Sequence, residues 1–181
     1  MIRNRYSVVG YAALVACAIA FAPSVASADP VPAGSKGPSF ALPSQEDKPV
    51  SLSDYNGKWV VLYFYPKDQP SGCTLEAYNF QRDLPKYEAS NAIVLGVSLG
   101  TVESHKAFCS KDSLSFNLLA DPDHKTIDAY GVPVRSMGAM FFAERITFLI
   151  SPDGKITKVW TVKGIASHSS EVLTAIQSMK K

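Results

Sequence analysis

The run at 59–65 limits the possible folds of this chain more than any other segment, because it contains only β-branched, aromatic and aliphatic residues. An unbroken run of this kind is typical of a strand that is buried on both faces in the middle of a sheet. Pro66 follows at once and ends the strand, because proline lacks the backbone N–H that a central strand needs. The sequence therefore predicts a sheet at the centre of the core, covered on both sides.

Strand and helix patterns alternate after this run. The apolar spacing predicts a helix at 73–87, and the pair Asp153-Gly154 suits a tight turn between two late strands. This alternation predicts an α/β fold, a mixed central sheet with helices on both faces. The other predicted elements are strands at 92–98, 145–150 and 155–162, a helix at 102–111, and a helical turn at 127–130 that Gly131 stops. The predicted apolar face of the 73–87 helix consists of Leu75, Ala77, Phe80 and Leu84. A final amphipathic helix has an apolar face of Val172, Leu173, Ile176 and Met179.

The N-terminus has the pattern of a secretory signal. Arg3 and Arg5 precede an apolar run at 8–22, and small residues that a signal peptidase prefers follow at 26–28. We therefore predict a signal peptide at 1–28, a single domain at 29–181, and export to the bacterial periplasm. A single membrane anchor is one alternative. A lipobox that places a lipid on Cys17 is another, although the residues after Cys17 stay apolar where a lipoprotein usually becomes polar.

The charge of the mature chain argues against two classes of partner. Removing residues 1–28 takes away Arg3 and Arg5, which leaves 16 basic and 16 acidic residues. A formally neutral surface has no electrostatic footprint for a phosphate backbone or for anionic lipid. We therefore expect no nucleic-acid partner and no membrane partner after processing.

Cys73 is the main candidate for chemistry. It follows Gly72 where a buried strand has ended and a helix begins, and a helix N-terminus stabilises the thiolate form of a cysteine, which is the nucleophile. Two plainer interpretations compete. Cys73 could be a small buried side chain, or it could form a structural disulfide with Cys109 in an oxidising compartment.

Other residue types offer weaker signals. The chain has no Cys-x-x-Cys, which disfavours a dithiol exchanger, and no cluster with zinc spacing. We expect His105, His124 and His168 to be ordinary surface or capping residues. Glu76 could polarise a site around Cys73, but we favour the interpretation that it complements the positive end of its helix.

Motifs along nearly the whole mature chain resemble one family, the peroxiredoxins, and within it the Q type, also called bacterioferritin comigratory proteins. The resemblance implies a thioredoxin-like fold and reduction of hydrogen peroxide or organic hydroperoxides by a cysteine, without metal or cofactor. It also implies a thioredoxin-like or glutaredoxin-like reductant, and we expect a monomer. The matching segments are Phe40-Ala41-Leu42-Pro43, 50–58, Tyr63-Phe64-Tyr65-Pro66-Lys67-Asp68, Gly72-Cys73-Thr74-Leu75-Glu76-Ala77, 95–98, 119–125, 130–132 and Arg145-Ile146-Thr147-Phe148-Leu149-Ile150.

The resemblance also implies residue roles. Cys73 matches the peroxidatic cysteine, Arg145 the arginine that stabilises its thiolate and helps to hold the peroxide, and Pro66 the proline that shields the sulfur from water. Cys109 lies 36 residues after Cys73 and looks like the resolving cysteine of one known arrangement. A disulfide between them requires local unwinding of both helices. If Cys109 were only packed in the core, the enzyme would need an outside thiol.

Several positions depart from the family or stay open. Tyr78 stands where many members have the resolving cysteine, and Pro70 stands where the family has Thr or Ser, with Ser71 expected to cap the helix. A copper-delivery factor of similar fold is one alternative, although it would need a second cysteine at Ala77. A binding module without chemistry is another. It is also open whether Met137, Met140, Phe141 and Phe142 line the site or mediate subunit contacts.

Overall fold

The structure, a computed structural model, describes Met1 and residues 29–179. The predicted signal peptide and Cys17 therefore lie outside the described residues, apart from Met1. No helix in the described part of the chain is long and apolar enough to cross a membrane. The elements are β1 (Ala41–Pro43), β2 (Pro49–Ser51), a 3-10 helix (Leu52–Tyr55), β3 (Trp59–Phe64), α1 (Ser71–Ala89), β4 (Ala92–Ser98), α2 (Val102–Asp112), β5 (Asn117–Ala120), α3 (Lys125–Ala129), β6 (Val134–Met137), β7 (Met140–Ala143), β8 (Ile146–Ile150), β9 (Ile156–Thr161) and α4 (Ile165–Met179).

The central sheet has five strands in the order β5-β4-β3-β8-β9, with β3 in the middle. The strand β4 runs parallel to both β3 and β5, whereas β8 runs antiparallel to both β3 and β9. The predicted α/β fold with a mixed sheet is confirmed. Every residue of β3 is buried, as the run of apolar residues predicted.

The two faces of β3 belong to two separate hydrophobic clusters. Val61 and Tyr63 pack with residues of α1, α2 and α4, whereas Val60 and Leu62 pack with residues of α3 and the β1–β2 hairpin. This division follows from the period of two along a strand. Helices therefore cover both faces, and the sheet holds the start of α1 and the start of β8 at the same edge.

The structure corrects some local predictions. Leu75 is 42% exposed and does not share the buried face of α1, and Met179 is likewise exposed at the end of α4. The strands β1, β2, β5, β6 and β7 were not predicted, because strands of three or four residues carry too short a pattern. Gly131 directly follows Tyr130, the C-cap residue of α3, and has a φ of +65°. A Cβ at this position would lie 2.1 Å from the Asp29 carbonyl oxygen, so the turn requires glycine.

Candidate active site

Cys73 lies in the first turn of α1, directly after the loop that leaves β3. Pro70 is the N-cap residue, and its carbonyl accepts hydrogen bonds from the backbone N–H groups of Cys73 and Thr74 at 2.9 and 3.0 Å. Cys73 is only 2% exposed. The partial positive charge of a helix N-terminus stabilises a negative sulfur at this position. The predicted order of strand, loop and helix around Cys73 is present.

Arg145 contacts the sulfur of Cys73. Because β8 pairs antiparallel with β3 and Ile146 lies opposite Phe64, the residue before β8 reaches the edge of the sheet where α1 begins. There Nη2 of Arg145 donates a hydrogen bond to Sγ of Cys73 at 3.2 Å, and Nη1 donates to Oε2 of Glu76. Burial by itself lowers the pKa of Arg145, but the negative charges of Glu76 and Cys73 raise it above its ordinary value.

Glu76 holds the guanidinium of Arg145 rather than complementing the helix N-terminus, so the favoured sequence interpretation is wrong. Its side chain is 1% exposed, and Oε1 has no hydrogen-bond partner among the described residues. Burial raises the pKa of Glu76 to about 7, and the nearby Arg145 opposes that rise. A fixed cation held in this way is able to stabilise both a thiolate and the charge that develops when an O–O bond breaks.

Cys109 lies in the last turn of α2 and packs in the same hydrophobic cluster as Cys73. It is 8% exposed, and both cysteines are free thiols in the structure. Burial, together with the negative charges of Asp68 and Glu46, raises the pKa of Cys109 to about 12. In this conformation Cys109 is therefore a protonated thiol and a poor nucleophile.

An apolar cavity of about 430 Å³ opens beside the loop that precedes Cys73. Pro66 and Pro70 form one side, and the β6–β7 hairpin forms the other with Met137, Met140, Phe141 and Phe142. These four residues therefore line a cavity next to the loop that precedes Cys73. Pro66 lies two residues after the end of β3 and lines this cavity.

Comparisons with known proteins agree with this geometry. A model of the AhpC/TSA family matches residues 33–159. A putative peroxiredoxin Bcp of Coxiella burnetii is 41% identical over 77% of this chain and 95% of its own length. A peroxiredoxin Bcp of Bacillus subtilis is 37% identical over 82% of this chain and 96% of its own. The chain belongs to the Q-type peroxiredoxins of the AhpC/TSA family.

A solved structure shows the same fold. The bacterioferritin comigratory protein of Xanthomonas campestris is 33% identical to this peroxiredoxin and superposes with a TM-score of 0.73, covering 78% of this chain and 92% of that one. The thioredoxin-like fold is thereby confirmed. Membership of the family makes the protein a thiol-dependent peroxidase with a peroxide substrate and a thioredoxin-type reductant. The copper-delivery and binding-module alternatives are not favoured.

The sequence reasoning missed a buried polar cluster in this peroxiredoxin. Asp68, in the loop before α1, accepts hydrogen bonds from Tyr65 at 2.7 Å, from Ser104, and from His105, whose Nδ1 lies 2.8 Å from Oδ2. Burial raises the pKa of Asp68, but the bonds from His105, Ser104 and Tyr65 outweigh that effect and hold the pKa below its usual value. The only sequence feature that pointed to this cluster was the spacing of His105 and Cys109, which places both residues on one face of α2.

The structure also bears on the expectations for the three histidines and for Ser71. His105 and His168 are buried, so the prediction that they are surface or capping residues is wrong for both, whereas His124 is exposed and pairs with Asp128. His168 Nε2 lies 2.8 Å from the Thr147 hydroxyl, and burial lowers the pKa of His168 to about 4. Ser71 does not cap α1, because Pro70 occupies the N-cap position and Ser71 is the first helical residue.

Proposed function

We propose that the protein is an exported peroxidase in which Cys73 attacks a hydroperoxide, Arg145 stabilises the charges involved, and Cys109 resolves the oxidised Cys73. The observation that carries the proposal is the 3.2 Å hydrogen bond from Arg145 Nη2 to Cys73 Sγ at the start of α1. A buried sulfur with a fixed cation beside it is the arrangement that nucleophilic attack on an O–O bond requires.

In the first step the Cys73 thiolate attacks one peroxide oxygen. The S–O bond forms as the O–O bond breaks, and the departing oxygen takes a proton and leaves as water or an alcohol. Cys73 is oxidised by two electrons to the sulfenic acid. Arg145 supplies oriented donors for the charge on the departing oxygen, and Glu76 fixes their direction. Pro66 limits the access of water to the sulfur.

In the second step the thiol of Cys109 condenses with the sulfenic acid. The S–S bond forms, the S–O bond breaks, and the hydroxyl leaves as water with the thiol proton. Support comes from a Xanthomonas campestris peroxiredoxin Q, in which the two cysteines that were replaced by serine have the same separation as Cys73 and Cys109. Because Cys109 is buried with a raised pKa, the last turn of α2 must open before it reacts.

Organic hydroperoxides join hydrogen peroxide as proposed substrates. The cavity beside Pro66 and Pro70 is lined mainly by apolar side chains, so it suits the hydrocarbon part of an alkyl hydroperoxide. The related Xanthomonas campestris structure is described for its alkyl peroxide reduction activity. Hydrogen peroxide needs only the sulfur and Arg145.

The remaining proposals concern the setting of the enzyme. A periplasmic location is supported by the N-terminal pattern of Arg3, Arg5 and the apolar run, with a lipid on Cys17 as the alternative. The reductant is a thioredoxin-like or glutaredoxin-like protein, and the enzyme is a monomer. Mass spectrometry of the exported product distinguishes an N-terminal Asp29 from a lipidated Cys17, and light scattering measures the oligomeric state.

One experiment tests the central assignment. Stopped-flow mixing of the reduced protein with hydrogen peroxide, and separately with cumene hydroperoxide, measures the rate of Cys73 oxidation. Cys73→Ser is expected to abolish peroxide consumption while it keeps the circular dichroism spectrum of the parent. Cys109→Ser is the matched control, because it removes the other thiol and leaves the first oxidation intact. Peroxide turnover that persists in Cys73→Ser would falsify the assignment.

A further inference from the structure

The buried cluster around Asp68 connects the two elements that carry the cysteines. Asp68 belongs to the loop before α1 and Cys73, whereas Ser104 and His105 belong to the first turn of α2, which carries Cys109. The other ring nitrogen of His105, Nε2, lies 3.2 Å from the carbonyl oxygen of Leu119 in β5. Both ring nitrogens of His105 therefore lie within hydrogen-bond distance of an oxygen atom, one in the loop before α1 and one in β5.

The two ring-and-carboxylate partners of this cluster, His105 and Asp68, are buried. His105 is 0% exposed and Asp68 is 6% exposed. A Cβ on Gly100 would lie 2.7 Å from Cε1 of His105 and 3.0 Å from Oδ2 of Asp68, so the loop before α2 packs against the pair at the distance that only glycine allows. Separating a buried pair of this kind leaves an uncompensated charge in the interior, which is strongly unfavourable.

The two ends of α2 are held very differently. At the N-terminal end Thr101 caps the backbone N–H of Ser104, and His105 and Phe108 are fully buried. After Phe108, Cys109 is the one buried residue of the helix, and the helix stops at Ser113 in the left-handed region with φ of 54°. The last turn is therefore the part of α2 that opens at the lowest cost, since the N-terminal end stays attached to Asp68.

We propose that Asp68, Ser104 and His105 form an anchor that positions Cys109 for disulfide formation. The anchor keeps the first two turns of α2 attached to the Cys73 loop while the last turn unwinds, so that Cys109 swings from a fixed point toward the sulfenic acid on Cys73. The step it serves is the condensation already described, in which an S–S bond replaces the S–O bond and water leaves. The inference rests on the proposed function of Cys73 and Cys109.

The test separates the two chemical steps in single-turnover experiments. Stopped-flow fluorescence with hydrogen peroxide measures the oxidation of Cys73, and quenched samples on non-reducing gels measure disulfide formation. We expect Asp68→Asn and His105→Gln to slow disulfide formation by about tenfold or more, because misplacing a reacting group by about 1 Å has effects of this size. The oxidation of Cys73 should change little. A longer-lived sulfenic acid should also make both variants over-oxidise at lower peroxide concentrations.

Matched variants exclude a purely structural effect. His105→Asn keeps a donor near the position of Nδ1 and should restore much of the rate that His105→Gln loses, although both lose the imidazole. Ser104→Ala removes one bond to Asp68 at small cost in stability and should give a smaller slowing of the same step. His168→Gln removes another buried histidine, outside α2, and should lower the thermal midpoint without slowing disulfide formation.

The possible outcomes point in different directions. If Asp68→Asn, His105→Gln and Ser104→Ala all form the disulfide at the parent rate or faster, the anchor does not position Cys109. Equal slowing in His105→Asn, His105→Gln and His168→Gln would assign the effect to lost stability and overturn the inference. If peroxide fails to oxidise Cys73 in the parent protein, the proposed function itself is wrong, which is a distinct result.

Discussion

Cys73 and Cys109 are both buried thiols in one hydrophobic cluster, yet their electrostatic surroundings are opposite. Cys73 lies at a helix N-terminus with the guanidinium of Arg145 at 3.2 Å. Cys109 lies in the last turn of a helix, where the backbone carries partial negative charge, and Asp68 and Glu46 add to it. Groups that favour negative charge therefore surround the sulfur of Cys73, whereas groups that disfavour it surround the sulfur of Cys109.

This electrostatic difference explains how, under the proposed function, two cysteine side chains in one cluster react at different steps. A thiol that stays protonated while it is buried is a poor nucleophile, so the proposed function confines the first oxidation to Cys73. Under the proposed function, Cys109 becomes reactive only when the last turn of α2 opens and bulk solvent lowers its pKa toward the ordinary value. We therefore expect the charges around each sulfur to set the order of the two proposed steps.

Arg145→Met should remove most of the electrostatic difference between the two sulfurs and should have the largest effect on the rate of Cys73 oxidation. We expect the second-order rate of Cys73 oxidation to fall by about 10²–10³, the usual loss when an oriented donor to a developing charge is deleted. Stopped-flow mixing with hydrogen peroxide measures this rate. Arg135→Met is the control, because Arg135 is an exposed arginine paired with Glu144 away from the sulfur. Equal rates for Arg145→Met and the parent protein would show that the cation is dispensable.

Glu76→Gln should change how stability depends on pH. The folded pKa of Glu76 is about 7, above the ordinary 4.5, so the folded state holds this proton more tightly than the unfolded state. The resulting stability is fully present below pH 4.5 and is lost as the pH rises through 7, on the order of 3 kcal/mol in total. Urea denaturation at pH 5 and pH 8 should show this loss in the parent protein but not in Glu76→Gln.

The control for that measurement is Glu88→Gln, which removes an exposed acid from the same helix. It should keep the pH dependence of the parent. A Glu76→Gln variant whose stability falls between pH 5 and pH 8 as steeply as that of the parent would mean that Glu76 is not the group responsible.

Pro70→Thr should increase the electrostatic difference between the two sulfurs, because it adds a hydroxyl near Cys73. The proline lines the cavity and is the N-cap of α1, a position that threonine also suits. Because a hydrogen bond to a charged group is worth about 1.5–3 kcal/mol, we expect a rate of Cys73 oxidation about one to two decades higher. The rate constant for hydrogen peroxide checks this. If the rate stays the same or falls in Pro70→Thr while Ser71→Ala loses most of its rate of Cys73 oxidation, Ser71 supplies the hydroxyl instead.

Cys109→Ser should have the smallest effect on the first oxidation and a clear effect on its product. We expect the initial rate to stay within about twofold of the parent, because Cys109 does not contribute to the charge stabilisation at Cys73. The product should be the sulfenic acid and its over-oxidised forms instead of a disulfide with Cys73. Peptide mapping under non-reducing conditions distinguishes them. Finding only a disulfide between two chains in the parent protein would contradict the assigned role of Cys109.

Local sequence patterns were sufficient to predict the central strand, the type of sheet and the helices that carry the two cysteines. The run at 59–65 determined a buried central strand, and the order of strands and helices determined a mixed α/β sheet. The same patterns placed Cys73 at the start of one helix and Cys109 on the next. These features depend on periodicity and on turn residues within short stretches of chain, which is the information that a sequence shows directly.

Contacts between distant segments were decided only by the tertiary structure. The sequence pattern does not bring Arg145 to Cys73, although the family resemblance implied that role, and the direction in which Glu76 points was misjudged. The pairing of Asp68 with His105 was not expected, and the sequence left open whether the residues of the β6–β7 hairpin line the site. These features follow from the register of β8 on β3 and from the packing of α2 against the loop before α1. Such arrangements are set by the burial of whole elements, because the free energy of an ion pair depends on the water that the surrounding elements exclude.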